Sequence, residues 1–457
     1  MKVLLLLADA LRADHLGCYG YRYATSPTID GLSARGCRFA DFFAPSIPTQ
    51  PAHTSIFSGT PSVTNRVVAH KAGNPELPSG LPWLPQLLRH GGVTTAAVDT
   101  LADQGPWFAR GWTDYRNPRA PGQLIDVRTV NAAFFNWLDS QEADDWFCFV
   151  HYWDPHSPYL PPAPYDTAYD TDRPADCPGR ELWEAQPAYP FAERWQVNAY
   201  GGFRDLEAVR ARYDGEIAYL DHGIGELLDQ LANRGLADDI LVLVTADHGE
   251  VMYDHPGFFD HAGLYDDTVH VPLLAAGPGV RAGSVVTGMH QHVDLAPTVL
   301  ELFGVPAPAG LAGRSLIPAL AGEPLPSETE LILTEATWEV KWGIRTDEWK
   351  LIKVIDPGVH GASDDELFHL PSDPGERVNL IRERPDVADH LELRLRRWWD
   401  NGLAGAPDPL RQQARVGVPA AGWVREAVAA SGLAQSEWQS RRYRPSGVTP
   451  PPTAIAP

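Results

Sequence analysis

Residues Val3-Leu4-Leu5-Leu6-Leu7 form an unbroken apolar run that ends at Ala8-Asp9. A short run without polar alternation predicts a central strand covered on both faces, and it delivers Asp9 to the strand's C-terminal end. Runs of the same kind recur at Thr94 to Val98, Trp146 to His151, Ile240 to Val244 and Pro272 to Ala275. Helical spacing separates them: Ile29 and Leu32 behind Ser26-Pro27-Thr28, Trp83 to Leu88 before Gly91-Gly92, Ile217 to Leu231 before Gly235, and Leu295 to Phe303. The alternation predicts an α/β fold: a large mixed, mostly parallel sheet flanked by helices, with ligands gathered at the carboxyl edge of the strands.

The pattern changes further on. From about residue 160 to 205 the chain is rich in Pro, Asp and aromatics without periodicity, which predicts a surface excursion near the site mouth. Paired β-like runs, Leu331 to Thr334 and Trp342 to Val354, then a helix at 385–400 predict a smaller C-terminal α+β subdomain. The expected organisation is a catalytic domain over 1–325, the sheet-and-helix subdomain over 326–402, and a Pro-rich tail over 403–457. That tail, with one helix at Trp423 to Ala430, reads as poorly ordered or as an oligomer arm.

Composition narrows the partners. With 457 residues, 44% of them apolar, the chain buries a large core, and a net charge of −22 argues against nucleic acid or an anionic membrane. The expected partner is a small anionic ester, and a homo-oligomer stays open. The 4 cysteines, Cys18, Cys37, Cys148 and Cys177, match no zinc or C-x-x-C spacing, which predicts free thiols in reducing surroundings. The N-terminal apolar run is too short for a signal sequence and no later stretch is long enough to span a bilayer, so the expected location is cytoplasmic.

Candidate chemistry centres on Ser46-Ile47-Pro48-Thr49-Gln50-Pro51-Ala52-His53. Pro51 suits a first helical turn, so Thr49 should sit at or just before a helix N-terminus, where free N–H groups favour an anion or a partly deprotonated hydroxyl. The plainer alternative is a helix cap. Strand ends add Asp9, Asp247-His248 and the His151/Asp154/His156 group. Hard carboxylate oxygens with one imidazole suit a divalent cation, which would lower the threonine pKa and neutralise a tetrahedral anion. His156, His53 and His261 are candidates to clamp that anion or protonate a leaving oxygen.

These residues stand in longer motifs: Asp9-Ala10-Leu11-Arg12-Ala13-Asp14-His15-Leu16-Gly17, Ser26-Pro27-Thr28-Ile29-Asp30, the Thr49 stretch up to Gly59, Asp154-Pro155-His156-Ser157-Pro158-Tyr159, Asp247-His248-Gly249-Glu250, and Gly343-Ile344-Arg345-Thr346. In this order they resemble the sulfatase branch of the alkaline phosphatase superfamily over most of residues 1–400. The resemblance implies one divalent metal (Mn, Mg, Ca or Zn) on Asp9, Thr49, Asp247 and His248, with a second metal the lesser alternative. It implies catalytic roles for Thr49, His156, His53 and His261, and a pocket lined by Thr100, Asp154, His151 and Asn65. Arg12, Asp14 and His15 are expected to be structural, and His290 and His292 to lie at the surface or behind the ligands.

The departures bear on substrate. Thr49 takes the place of the Cys or Ser of C-x-P-S-R that the family converts to formylglycine, and threonine is not a source of formylglycine. Ala52-His53 replaces Ser-Arg, Ala10 replaces the paired Asp, and Asp99-Thr100-Leu101-Ala102 replaces Gly-Lys-Trp-His. A threonine nucleophile is similar to that of the superfamily's phosphodiesterase and phosphomutase branches. The expected activity is therefore hydrolysis of a phosphate mono- or diester, or a phosphonate, through a covalent Thr49 intermediate. The alternatives are a sulfatase or sulfamate hydrolase, a phospho- or sulfotransferase, and a catalytically silent binding homologue.

Overall fold

A computed structural model describes residues 1–70, 77–78, 80–119, 125–170, 206–252, 255, 261–358 and 364–419. The strands are β1 (Lys2–Ala8), β2 (Cys37–Phe43), β3 (Ser46–Ile47), β4 (Thr94–Val98), β5 (Asp114–Arg116), β6 (Trp146–Tyr152), β7 (Ile240–Ala246), β8 (Leu273–Ala276), β9 (Ser284–Gln291), β10 (Leu331–Ala336), β11 (Val340–Arg345), β12 (Trp349–Asp356) and β13 (Glu366–His369). Eight form one sheet in the order β5-β4-β6-β1-β7-β8-β2-β9, and five form a second in the order β13-β12-β11-β10-β3. In the first sheet β5 through β7 run parallel, and β8 is antiparallel to both β7 and β2. The apolar runs β1, β6 and β7 lie at its centre, buried on both faces as an unbroken pattern requires.

Helices Pro27–Arg35, Thr49–Ser58, Leu84–His90, Val127–Leu138, Leu206–Asn233 and Leu295–Leu302 accompany this sheet. The long helix begins at Leu206, well before the apolar spacing that starts near Ile217. Its first turns bury polar residues that satisfy one another: Arg210 bonds Glu207 and Asp214 at 2.9 and 2.6 Å, so no apolar period is needed there. β2 and β9 also lack an apolar run; β2 carries half-exposed Arg38 and Asp41, and β9 is an edge strand that alternates toward solvent.

The second sheet packs Trp342, Ile344, Leu351 and Leu367 against Leu391, Leu395 and Trp399 of helix Pro385–Leu403. The run Trp342 to Val354 is two strands rather than one, turned by a hairpin at 346–348. This sheet also takes an edge strand from the N-terminal half, since Ser46 and Ile47 pair with Thr334 and Glu335. The segment that leads into Thr49 is thereby fixed by the second sheet. Buried Lys350 reinforces the junction: its Nζ meets Asp266 Oδ1 at 2.6 Å, Glu376 Oε1 at 2.7 Å and the Leu264 carbonyl at 3.0 Å. Helix Trp423 to Ala430, Cys177 and most of the 160–205 excursion lie outside the described residues. Cys18, Cys37 and Cys148 carry free thiols. No helix among the described residues is long and apolar enough to cross a membrane.

Candidate active site

Asp9 and Asp247 are the first residues after β1 and β7. Ala8 is in register with Ala246, so the two carboxylates leave the carboxyl edge side by side. Asp247 Oδ1 accepts from the backbone N–H groups of Ala10 and His248 at 3.2 and 2.9 Å, while its Oδ2 and both oxygens of Asp9 have no hydrogen-bond donor. Ala10 adopts φ 61°, the left-handed region that a non-glycine residue enters at a cost of about 1–3 kcal/mol. Tyr213 of the long helix holds that kink, donating to the Ala10 carbonyl at 2.6 Å and accepting from Arg12 N–H at 3.0 Å. Arg12, Asp14 and His15 are structural here: the guanidinium bonds Asp14 and the Glu250 carbonyl, and His15 Nδ1 lies 2.8 Å from Asp214.

His248 Nδ1–H donates to the Gly249 carbonyl at 2.9 Å, which leaves the lone pair on Nε2. Gly249 itself is required, because a Cβ there would stand 2.0 Å from the Asp267 carbonyl oxygen. Thr49 is the first residue of helix Thr49–Ser58, with Pro48 as its N-cap. Its hydroxyl therefore performs no capping and instead lies 3.2 Å from His248 Nε2. That nitrogen is also 3.3 Å from Asp247 Oδ2 and 3.6 Å from Asp9 Oδ1.

The donor set fits a divalent cation. Ligand atoms of Asp9, Asp247 and His248 lie within 4.8 Å of one another, and all three side chains are fully buried. Burial, with Asp247 alongside, pushes the Asp9 carboxyl well above its usual range, and burial drops His248 to about 3. Two interior carboxylates with orphaned oxygens, no donor and a neutral imidazole are an arrangement that a cation satisfies.

The remaining imidazoles divide into two groups. His261 stacks on His248 with centroids 4.7 Å apart, and His156 lies 5.3 Å from His261 and 4.9 Å from Trp153. His156 is partly exposed, its Nδ1–H given to the Ser157 carbonyl at 2.7 Å. His53 and His151 lie on the interior side. His53 donates Nδ1–H to the Thr49 carbonyl at 2.8 Å and stands 3.7 Å from Asp247 Oδ2, and His151 Nε2 is 3.3 Å from Asp9 Oδ2. Their rings meet edge to face at 4.9 Å, and burial lowers them to about 3 and about 4.

Other expected pocket residues have partners and turns of their own. Asp154 turns toward Glu216 of the long helix, and burial raises the pair to about 7 and about 9. Asn65 is fully buried and spends its amide on the Thr60 carbonyl and Val67 N–H, closing the turn after the Thr49 helix. Thr100 is buried in a turn tied to that helix by Gln50 Nε2 donating to the Gln104 carbonyl at 2.8 Å. Asp99 accepts from Tyr115 and from Leu101 N–H within the same turn. His290 is not at the surface: it is buried edge-on against Phe39. His292 is buried too, and donates Nε2–H to the Ala246 carbonyl at 2.9 Å, holding the end of β7.

The fold also brings in residues that carry no sequence motif. His70 lies 6.1 Å from His261, and Glu335 Oε2 accepts from Gly263 N–H at 3.1 Å, anchoring the loop that carries His261. His70 follows an apolar run and Glu335 ends a strand, so neither position signals chemistry until the two sheets meet.

Comparison with known proteins agrees with this fold. The sulfatase family model matches residues 2–305, and the model of the N-sulphoglucosamine sulphohydrolase C-terminal region matches residues 254–399. Human arylsulfatase K is 25% identical over 443 residues, covering 86% of this chain and 81% of that protein. The choline-sulfatase of Rhizobium meliloti is 26% identical over 455 residues, covering 86% and 84%. The match to bovine arylsulfatase K, 28% identical, spans only 54% of that protein. Among solved structures, the phosphonate monoester hydrolase of Agrobacterium radiobacter superposes with a TM-score of 0.68 at 23% identity, covering 87% of this chain and 96% of that one. Fold, strand-end carboxylates and a family match over most of the chain converge: the chain belongs to the sulfatase family.

Proposed function

We propose that the protein is a metal-dependent hydrolase in which the unmodified Thr49 hydroxyl attacks a phosphorus or sulfur ester of single negative charge. A phosphodiester or phosphonate monoester is preferred to a sulfate monoester. The observation that carries this reading is the Thr49 Oγ1 atom, 3.2 Å from His248 Nε2 at a helix start and turned away from any cap. A divalent cation held by Asp9, Asp247, His248 and Thr49 would supply charge that favours the ionised hydroxyl and offsets the anion in the transition state.

The chain's own groups then have these parts. Thr49 releases its proton to solvent as Oγ1 bonds to phosphorus or sulfur and the bond to the ester oxygen breaks, that oxygen leaving with a proton from His156, the partly exposed imidazole of the cluster. Water then attacks the same centre and gives a proton back to His156, while the bond to Thr49 Oγ1 breaks and Oγ1 regains a proton from solvent. His261 borders the transferring oxygens from its place on the His248 ring. Because Cβ of threonine carries one hydroxyl, release depends on this second attack, which favours phosphorus.

Charge supports the monoanion. Among the described residues, the side chains within hydrogen-bond or ion-pair range of Thr49, Asp9, Asp247 and His248 are carboxylates and imidazoles, with no lysine or arginine. Burial keeps His53, His151 and His248 neutral, so a divalent cation balances two carboxylates and leaves little for a phosphate-monoester dianion. The sulfate monoester is the second reading, supported by the arylsulfatase and choline-sulfatase relatives. The test is a panel of aryl phosphodiester, phosphonate monoester, phosphate monoester and sulfate monoester, run on protein stripped of metal and reloaded with Mn, Mg, Ca or Zn. The reading expects metal-dependent turnover led by the first two esters; a lead for sulfate supports the second reading, and a lead for the phosphate monoester contradicts the charge argument.

A further inference from the structure

We infer that His151 is a positioning residue for the metal site, which holds one oxygen of Asp9 so that the other is presented to the cation. The inference rests on the metal-dependent reading above, and it replaces the pocket-lining role that sequence assigns to this histidine. His151 is in register with Leu7 on the neighbouring strand, and Asp9 lies two residues beyond Leu7 on the same face of the sheet. The imidazole therefore meets the carboxylate from the interior side.

The two Asp9 oxygens are divided between different neighbours. Oδ1 lies 3.6 Å from His248 Nε2, on the side of Thr49, whereas Oδ2 lies 3.3 Å from His151 Nε2. Neither Asp9 Oδ2 nor His151 Nε2 makes a hydrogen bond to any other group among the described residues, their 3.3 Å approach is an ion-pair-range contact short of hydrogen-bond geometry, and both residues are buried. Each is thus the available partner of the other, and the proton on His151 belongs on Nε2. The ring is held in place by its surroundings: it stacks on Phe149 at 6.2 Å and 13°, meets His53 edge to face at 4.9 Å, and packs on Trp153 at 5.7 Å. A ligand carboxylate oriented by an outer hydrogen bond binds metal more tightly, and loss of such a partner costs 10- to 100-fold in affinity.

The test is calorimetric titration of Mn²⁺ into chelator-stripped wild type, His151→Phe and His151→Gln, with thermal melting of each metal-free form. Phenylalanine keeps the ring packing and removes the donor; glutamine keeps an N–H donor at the reach of Nε2. The expected result is roughly 10- to 100-fold weaker Mn²⁺ binding for His151→Phe, most of it restored in His151→Gln, with KM at saturating metal within about twofold of wild type. Should His151→Phe fail to fold, His151→Leu gives the donor-free comparison.

Wild-type affinity in a folded donor-free variant overturns the inference. So does a raised KM with unchanged Mn²⁺ affinity, which would make His151 a substrate contact, or a wild-type stoichiometry of two that falls to one, which would make it a ligand of a second cation. A wild type that takes up no Mn²⁺ overturns this inference and the metal-dependent reading together. One that takes up Mn²⁺ and hydrolyses no ester overturns only the proposed activity, and the comparison of variants still decides the role of His151.

Discussion

Thr49 illustrates what a single residue's surroundings decide. A threonine before Gln-Pro at a helix start is by default a cap, and a cap lost to alanine costs about 1 kcal/mol. Here Pro48 occupies the N-cap and Thr49 Oγ1 faces His248. Thr49→Ala should therefore leave the urea midpoint nearly unchanged while lowering kcat/KM by at least about 10³-fold, and Thr49→Ser should retain much of the activity. Denaturation and steady-state rates on the same preparations check both halves. The meeting of Asp9, Thr49 and Asp247-His248 was legible in the sequence because each is fixed by a strand end or helix start, and such ends set where a side chain points. The partners of Asp154 and Asn65 were not, because nearness along the chain says nothing of direction: Asp154 turns to Glu216, and Asn65 turns back to its own loop.

Among elements, the turn that carries His156 is joined to the long helix through that carboxyl pair. Burial, and then mutual repulsion for Glu216, raise Asp154 from 3.8 to about 7 and Glu216 from 4.5 to about 9. Both pKa values are higher folded than unfolded, so the native state holds protons that the unfolded chain has released. The contribution is fully present below about pH 4 and is lost as pH rises toward 9. Glu216→Gln should flatten that decline, read as the urea midpoint against pH between 4 and 9; an unaltered slope would place the titration elsewhere. The central strands were legible from continuous apolar runs, whereas β2, β9 and the first turns of the long helix were not. Their stability comes from an edge position or from polar pairs such as Arg210 with Asp214, neither of which leaves a period in the sequence.

Across the whole molecule, the carboxyl edge of one sheet, which carries the candidate site, is buttressed by the other. β3 pairs with β10 immediately before Thr49, Glu335 anchors the loop of His261, and Lys350 fastens the second sheet to Asp266 and Glu376. Lys350 is wholly buried, so removing its charge leaves Glu376 without a cation among the described residues, whereas Asp266 keeps Arg345 at 2.9 Å. Lys350→Met should cost about 3–5 kcal/mol of unfolding free energy in urea, and adding Glu376→Gln should recover part of it. The two-sheet architecture could be read from apolar periodicity and motif order, but the crossing of Ser46-Ile47 into the second sheet could not, because a two-residue strand has no pattern of its own. The most direct test of the central claim is peptide mass spectrometry of metal-loaded protein acid-quenched during turnover of the ester it hydrolyses fastest. The account predicts a phosphoryl or sulfuryl group on Thr49, absent after chelation and absent in Thr49→Ala; undiminished turnover by Thr49→Ala, or an adduct on another residue, would contradict it.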